Sequence, residues 1–268
     1  MVMDLAIELI HATVQLEQSL DGGMRTVGTG FLISEKGPDG QPRTVLVTAN
    51  HVFQKMTRAS GKAKIGYRVS NADGSWSYSP QELRIRDAAG KPLWTSHPAR
   101  DVAAITITAP PEFAKAAIPE DYLAGEDTFT TYKVGAGDEM MALGFPRGLA
   151  ANPAGFPILR SGRIASYPLA PAKNFPTFLM DFSVFPGNSG GPVFLPSTAR
   201  PEGGFIAGLL TQQVELNSER LEIGIVTHAK YIHETLALMA DPAAPVTVTA
   251  SVPVTGARAA SAEEAATP

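Results

Sequence analysis

Short apolar segments separated by turn-forming residues run along most of the chain. GTGFLIS at residues 28–34, TVLVTANHVF at 44–53 and RDVAAITI at 100–107 each have the length and apolar content of a strand. Clusters of Gly, Pro, Asn and Asp separate such segments, and helical spacing is nearly absent before residue 226. The pattern predicts an all-β body.

A helical pattern appears after residue 226. Apolar side chains recur there at helical spacing, so we expect a closing helix over about residues 228–239, with the apolar face at Ala229, Ile232, Leu236 and Met239. From residue 241 the chain is rich in Ala, Pro, Thr and Val and lacks aromatic residues. Such a segment buries too little surface to offset its ordering entropy, which predicts a disordered tail over 241–268.

The composition narrows the classes of function. The 268 residues include no cysteine, which excludes disulfides, a thiol nucleophile and Cys-based metal sites. His228 and His233 are five residues apart, poor spacing for a shared metal, so we expect no metal and no cofactor. A net charge of -4 gives no reason to expect nucleic acid or an acidic membrane as partner. The N-terminal sequence has no basic region followed by a long apolar one, which predicts a cytoplasmic protein without a signal peptide or transmembrane segment.

The segment GNSGGPVF at residues 187–194 places a serine in a glycine-rich turn before a strand. A serine hydroxyl needs a base to take its proton and N–H donors for the oxyanion that develops during attack on a carbonyl. Glycine permits backbone angles that let neighbouring N–H groups converge on one point. We therefore expect Ser189 to be a nucleophile and the oxyanion hole to lie within Gly187, Asn188 and Ser189, with the N–H groups of Gly187 and Ser189 as donors.

Two further strand segments supply the partners that this chemistry needs. His51 stands at the end of one strand pattern and Asp101 at the start of another. The expected roles are a general base for His51 and, for Asp101, a carboxylate that fixes the imidazole tautomer and stabilises the imidazolium. We favour Asp101 over the other candidate acids, Asp181, Asp87 and Asp73. The chain order His, Asp, Ser separates this arrangement from the subtilisin and α/β-hydrolase orders.

With these motifs the chain resembles the chymotrypsin-like serine peptidases, and most closely the cysteine-free bacterial members related to the Deg/Htr proteases. GDEMMALGFPRG at residues 137–148, SGRIAS at 161–166 and GLLTQQ at 208–213 extend the resemblance to about residues 5–240. It implies two antiparallel six-stranded β-barrels and a C-terminal helix. Residues 1–120 would form the barrel with His51 and Asp101, and residues 121–240 the barrel with Ser189 plus the closing helix. The heat-shock relatives have a PDZ domain after that helix, and we expect none in this chain.

The same resemblance implies where the substrate binds. Ser183 would lie at the base of the pocket for the residue before the scissile bond (P1), Gly224 on one wall, and Thr211, Gln212 and Gln213 along another. None of these is acidic, and a buried Lys or Arg would need a paired negative charge. An uncharged, small or medium apolar P1 residue is therefore expected.

Three functions fit the residues. The favoured one is a serine endopeptidase that acts on protein or peptide substrates through an acyl-enzyme. The alternatives are a narrow hydrolase such as an esterase, and a regulated or catalytically silent binding module that keeps the fold. Regulation would come from loop ordering, from the tail or from a separately encoded partner protein.

Overall fold

The structure is a computed structural model that describes residues 4–37, 40–197, 203–217 and 219–239, and the backbone of 246–247 and 249–250. The helices are α1 Leu5–Ala12, α2 Asn50–Gln54, α3 Pro111–Ala116, α4 Thr128–Thr131 and α5 Lys230–Ala237. The strands of the first half are β1 Thr13–Ser19, β2 Arg25–Lys36, β3 Pro42–Thr48, β4 Lys62–Ser70, β5 Trp76–Arg84, β6 Thr95–Ser96, β7 Ala103–Thr108 and β8 Ile118–Pro119. The later strands are β9 Glu139–Gly144, β10 Ile158–Ile164, β11 Thr177–Asp181, β12 Pro192–Leu195, β13 Phe205–Leu216, β14 Glu219–His228, β15 Val246–Thr247 and β16 Thr249–Ala250.

The first half is an antiparallel sheet in the order β7-β3-β2-β1-β4-β5. Its central strands β2 and β3 carry consecutive fully buried residues, such as Leu32 and Ile33, because both faces of the sheet are covered there. α1, α3 and β8 all contact β2. The two short strands β15 and β16 pair with β7 and β5, the opposite edges of the sheet. Since a single residue separates β15 from β16, the two edges of the sheet lie close together and the sheet is strongly curled.

The second half is a closed barrel of six antiparallel strands in the order β9-β10-β11-β14-β13-β12. The pairing of Val193 with Ala142 joins β12 to β9 and closes the ring. Side chains that point inward fill the barrel, as expected for a ring of this size. The fully buried ones include Met140, Phe178, Met180, Phe194, Leu209 and Val226.

The fold is mostly β, as predicted, and differs from the prediction in its first half. The second predicted barrel is confirmed with its six strands, but within the described residues no hydrogen-bonded pair joins β5 directly to β7, so the first is a curled sheet and not a closed barrel. The closing helix is α5, and it is shorter than predicted because His228 still belongs to β14. Of the tail predicted to be disordered, the structure describes only β15 and β16. The rest lies outside the described residues, and the disorder stays a prediction.

α1 was not predicted from the sequence. Its residues are apolar at most positions, a composition that fits a buried strand as well as a helix. The side chain of Asp4 caps it by accepting a hydrogen bond from the N–H of Ala6 at 3.1 Å. The last turn of this helix contains His11. No helix in the described ranges is long and apolar enough to cross a membrane.

A buried arginine ties the N-terminal elements to the second half. Arg68 on β4 is 1% exposed, and its guanidinium lies 4.8 Å from the centre of the Phe156 ring. Burial lowers the pKa of Arg68 to about 10, so the group stays charged at neutral pH. It donates hydrogen bonds to four backbone carbonyls, those of Ile10, His11, Thr13 and Gly155. Because Gly155 belongs to the β9–β10 loop, these bonds link α1 and β1 to the barrel.

The two halves approach most closely at Gly190, in the loop between β11 and β12. A Cβ atom at Gly190 would lie 2.1 Å from the carbonyl oxygen of Thr29 and 2.2 Å from the hydroxyl oxygen of Thr48. The φ angle of Gly190 is also +89°, in the region that favours glycine. The backbone of the loop therefore packs directly against the backbone of β2 and β3.

His228 is buried in the core of the barrel. It is 3% exposed, its ring lies 4.9 Å from the Phe129 ring and 5.0 Å from the Phe178 ring, and its Nε2 atom has no hydrogen-bond partner within the described residues. Burial lowers the pKa of His228 to about 4, although the carboxylate of Glu126 and the backbone of Leu169 act in the opposite direction. The folded protein therefore keeps this imidazole neutral.

The burial of neutral His228 should make stability depend on pH. Below about pH 6.5 the unfolded chain gains a proton at this residue that the folded chain does not, so the free energy of unfolding falls as the pH drops from about 6.5 to about 4. The loss from this residue is about 3 kcal/mol at the lower limit. Urea unfolding of the wild type and of His228→Leu across this range should show a weaker pH dependence in the variant. Equal pH dependence in the two proteins would contradict the neutral buried state.

The close approach at Gly190 should make alanine costly there. We expect Gly190→Ala to lower the free energy of unfolding by about 3 kcal/mol or more, because the Cβ collides with backbone in addition to the strained φ angle. Gly74 is the matched control, since its φ is +81° and a Cβ there would meet nothing within 4 Å. Gly74→Ala should cost about 1 kcal/mol. Similar losses in both variants, measured by urea unfolding, would argue against the close packing.

Candidate active site

α2 places His51 next to Asp101. The sequence pattern placed His51 at the end of a strand. In the structure β3 ends at Thr48 and α2 begins at Asn50, so His51 is the second residue of a short helix. Val52 and Phe53 are apolar and so continued the strand pattern in the sequence. In the structure they belong to α2 and are buried. The indole N–H of Trp94 donates a hydrogen bond to the Asn50 side chain at 2.8 Å, which fixes the start of this helix.

The Asp101 carboxylate holds His51 through two contacts. One oxygen lies 2.6 Å from Nδ1 of the His51 ring, and the other accepts a hydrogen bond from the His51 backbone N–H at 2.9 Å. Burial alone raises the pKa of Asp101, but the hydrogen bonds and charge of His51, with a bond from the Asn50 N–H, outweigh burial and hold the pKa below its usual value. An ionised Asp101 accepts a hydrogen bond from a protonated Nδ1 of His51. In that tautomer the Nε2 atom carries a lone pair that can accept a proton.

The other acidic residues considered for this role lie elsewhere. Asp181 is the exposed last residue of β11. Asp73 accepts hydrogen bonds from Ser75 in the β4–β5 turn, and Asp87 accepts them from backbone N–H groups of its own turn. Among these four carboxylates, Asp101 is the one that contacts His51.

The turn at residues 187–191 leaves two backbone N–H groups without an acceptor in the described part of the chain, those of Gly187 and Ser189. The Pro186 carbonyl accepts a hydrogen bond from the Arg147 N–H at 2.6 Å. Because the N–H and C=O of a trans peptide point in opposite directions, the Gly187 N–H is turned away from Arg147. Gly187 itself has a φ of +96°. Neither N–H group is thus used within the described backbone.

Asn188 was expected within the oxyanion hole, but its own N–H is already used. It donates to the Phe185 carbonyl at 3.0 Å, which closes the turn. The Asn188 side chain is buried, at 3% exposure. The backbone N–H of Asn188 therefore closes the turn, whereas its buried side-chain amide nitrogen has no hydrogen-bond partner within the described residues.

The Ser189 hydroxyl is partly exposed and donates to the Thr211 carbonyl at 3.2 Å. Within the described residues it makes no hydrogen bond with His51. Such contacts are often long before substrate binds. The hydroxyl hydrogen has to leave the Thr211 carbonyl before it can be donated to an imidazole.

The residues expected around the substrate are arranged on β13, β14 and the loop after β11. Thr211 lies next to Ser189, and Gln213 is paired with Gly224 across β13 and β14. A Cβ at Gly224 would lie 2.9 Å from the Val184 side chain and 3.0 Å from that of Leu210, so this wall is apolar. Gln212 is exposed.

Ser183, which was expected at the base of the P1 pocket, lies just beyond the end of β11. β11 ends at Asp181, and Ser183 follows in a loop, where its carbonyl accepts a hydrogen bond from Arg160 at 3.1 Å. The strand pattern extended through Phe182 and Val184, whose side chains pack near Gly224 from the loop.

Sequence reasoning missed two contributors to this region. Thr29 is buried in β2 and bonds to the turn, and the Arg147 N–H binds the Pro186 carbonyl. The position of Thr29 between two glycines in GTGF was a signal of close backbone approach. The Arg147 contact depends on a residue with a φ of +52°, which the sequence does not reveal.

Comparisons with known proteins agree with this geometry. Residues 28–200 match the family model of the trypsin-like peptidase domain, a range that includes His51, Asp101 and Ser189. No curated protein matches the chain.

Several solved structures have a similar fold. The HtrA-type protease AlgW, solved with a decapeptide, has 16% sequence identity and a TM-score of 0.53 over 87% of this chain and 66% of its own. A serine endoprotease from Yersinia pestis has 18% identity and a TM-score of 0.53 over 87% of this chain and 64% of its own. The chain thus spans less than two thirds of the length of these two proteins. Protease Anisep from Arthrobacter nicotinovorans has 16% identity and a TM-score of 0.50, over 87% of this chain and 97% of its own. The fold is chymotrypsin-like, and with the match over residues 28–200 the chain belongs to the trypsin-like peptidase family of serine-type peptidases.

Proposed function

We propose that this protein is a serine endopeptidase in which Ser189, His51 and Asp101 form the catalytic triad. The observation that carries the proposal is the pair of contacts between Asp101 and His51, at 2.6 and 2.9 Å, in a chain that also presents a serine in a turn with free N–H groups. A carboxylate, an imidazole and a hydroxyl in this order supply the base and the nucleophile for acyl transfer. The substrates would be proteins or peptides.

Acylation would begin when the Ser189 side chain leaves Thr211 and turns toward His51. The Nε2 atom of His51 takes the hydroxyl proton as Ser189 Oγ forms a bond to the substrate carbonyl carbon. The N–H groups of Gly187 and Ser189 stabilise the oxyanion, and ionised Asp101 stabilises the imidazolium. When the C–N bond breaks, the leaving amine takes the proton from His51.

Deacylation would repeat the same proton transfers with water. His51 takes a proton from the attacking water, and the water oxygen forms a bond to the acyl carbon. The intermediate then collapses, the acyl–oxygen bond to Ser189 breaks, and His51 returns the proton to the serine. The residues that hold the site thus serve both halves of the reaction.

The pocket would accept an uncharged P1 residue. Val184 and Leu210 pack closely against Gly224 and make this wall apolar. None of Ser183, Thr211, Gln212 and Gln213 carries a charge. A Lys or Arg side chain would lose its hydration there without gaining a partner of opposite charge. A small or medium apolar P1 side chain fits this description.

The hydrogen bond between Ser189 and Thr211 favours a second candidate, a regulated or silent module with the same fold. In that case the hydroxyl would keep its bond to Thr211 when a peptide binds. The position of a regulatory partner would then decide whether the side chain rotates. An activity measurement separates the two candidates.

A peptide-library digest tests the endopeptidase directly. We expect the purified protein to cleave mainly after uncharged residues and Ser189→Ala to cleave none of the peptides, because the acyl bond cannot form. Cleavage sites would be read by mass spectrometry. Ser60→Ala is the matched control, since Ser60 is exposed and lies outside the site, and it should cleave like the wild type.

Three results of this digest would contradict the proposal. Cleavage that persists in Ser189→Ala would place the nucleophile elsewhere. Cleavage mainly after Lys or Arg would overturn the uncharged pocket. Binding of peptides without any cleavage by the folded wild type would favour the silent module.

A further inference from the structure

Thr29 connects β2 to both residues whose N–H groups would bind the oxyanion. It is fully buried between Gly28 and Gly30. Its hydroxyl donates to the Gly187 carbonyl at 2.7 Å, and its backbone N–H donates to the Ser189 carbonyl at 2.9 Å. One residue of the first half thus holds two carbonyls of the turn in the second half.

The Thr29 hydroxyl has its full set of strong partners. While its hydrogen goes to Gly187, its oxygen accepts a hydrogen bond from the Phe145 N–H at 3.1 Å. The Thr29 carbonyl in turn accepts a bond from the Thr48 hydroxyl at 2.6 Å. The hydroxyl is thus held between the Gly187 carbonyl and the Phe145 N–H, so its position is defined before substrate arrives.

The carbonyl that this hydroxyl holds belongs to the most adaptable residue of the turn. Gly187 has no side chain to restrict it, and its φ of +96° is one of several conformations open to glycine. The Pro186 carbonyl is fixed on one side by the Arg147 N–H, and the Gly187 carbonyl is fixed on the other by Thr29. The Gly187 N–H belongs to the same peptide group as the Pro186 carbonyl, and the Gly187 carbonyl belongs to the next peptide group. Because a hydrogen bond holds each of these peptide groups, rotation about the Gly187 backbone between them is limited.

We infer that the Thr29 hydroxyl is a positioning residue for the oxyanion hole, which keeps the Gly187 N–H directed at the developing oxyanion through its bond to the Gly187 carbonyl. This role rests on the proposed peptidase function. Thr29 does not touch the reacting atoms. Its effect is on the transition state, because the oxyanion exists there and not in the bound substrate.

Thr29→Val tests the role, since valine keeps the shape of threonine and removes the hydroxyl. We expect kcat for a peptide identified in the library to fall about 10- to 100-fold, somewhat less than the loss of a whole oxyanion donor, with KM changed less than about threefold. Thr29→Ser keeps the hydroxyl and should stay within about fivefold of the wild-type kcat. The split between kcat and KM separates positioning from a general loss of the binding site.

Thr235→Val is the matched control. Thr235 is also fully buried, and its hydroxyl donates a 2.6 Å hydrogen bond to the Tyr231 carbonyl in α5, away from the turn. It should lose stability like Thr29→Val but keep kcat. Circular dichroism and thermal unfolding would confirm that each variant is folded. If Thr29→Val does not fold, Thr29→Ala and Thr29→Ser make the comparison, because they differ only by the hydroxyl.

The outcomes distinguish this inference from the proposed function. An active wild type with unchanged kcat in Thr29→Val would overturn the role of Thr29 alone. Equal losses of kcat in Thr29→Val and Thr235→Val would show a structural effect, and equal losses in Thr29→Val and Thr29→Ser would exclude the hydroxyl; each overturns the inference. A folded wild type without turnover would overturn the proposed function together with this role.

Discussion

The serine turn at residues 187–191 lies so close to β2 at Gly190 that no side chain fits between them there. A Cβ atom at Gly190 would collide with the Thr29 carbonyl, and one at Gly191 would lie 2.0 Å from the Leu143 carbonyl in β9. The backbone of the turn is therefore compressed between the two halves of the protein. Hydrogen bonds from Thr29 to the carbonyls of Gly187 and Ser189 use this closeness to set the direction of the peptide groups. The serine turn depends on the correct docking of the two halves, and neither half contains the site alone.

Two charged side chains of the first half, Asp101 and Arg68, show how a charge is kept inside the protein. Asp101 is held in its ionised form by His51 and the Asn50 N–H, although burial acts against its charge. Arg68 has no carboxylate partner within the described ranges, and four backbone carbonyls accept hydrogen bonds from its guanidinium. Both cases follow the same rule, that a buried charge persists only where enough hydrogen bonds replace water. Because each of the two side chains makes several hydrogen bonds at once, each is restricted to one position.

The sequence indicated the contact between His51 and Asp101, but not the helix that carries His51. His51, Asp101 and the Ser189 turn were identified because their chemistry requires particular residue types, and the structure brings His51 and Asp101 into contact. The family resemblance implied the closed barrel, which the structure contains. The strand periodicity by itself predicted only an all-β body. It failed at α1 and α2, because a buried helical turn and a buried strand show the same run of apolar residues.

Other features depend on contacts that a single sequence does not encode locally. The first sheet remains open between β5 and β7, which a motif-based prediction of two barrels does not anticipate. The use of the Asn188 N–H within its own turn depends on the backbone angle of a neighbouring glycine. The part played by Thr29 depends on a partner 158 positions away in the chain. Long-range contacts of this kind appear only once the two halves are packed together.

The central claim is that Ser189 is a nucleophile activated by His51. Labelling of the purified protein with a fluorophosphonate probe, followed by peptide mapping, tests this claim most directly because it needs no knowledge of the substrate. The account predicts labelling at Ser189 that is lost in both Ser189→Ala and His51→Ala. Labelling that is as fast in His51→Ala as in the wild type, or no labelling of the folded wild type, would contradict it.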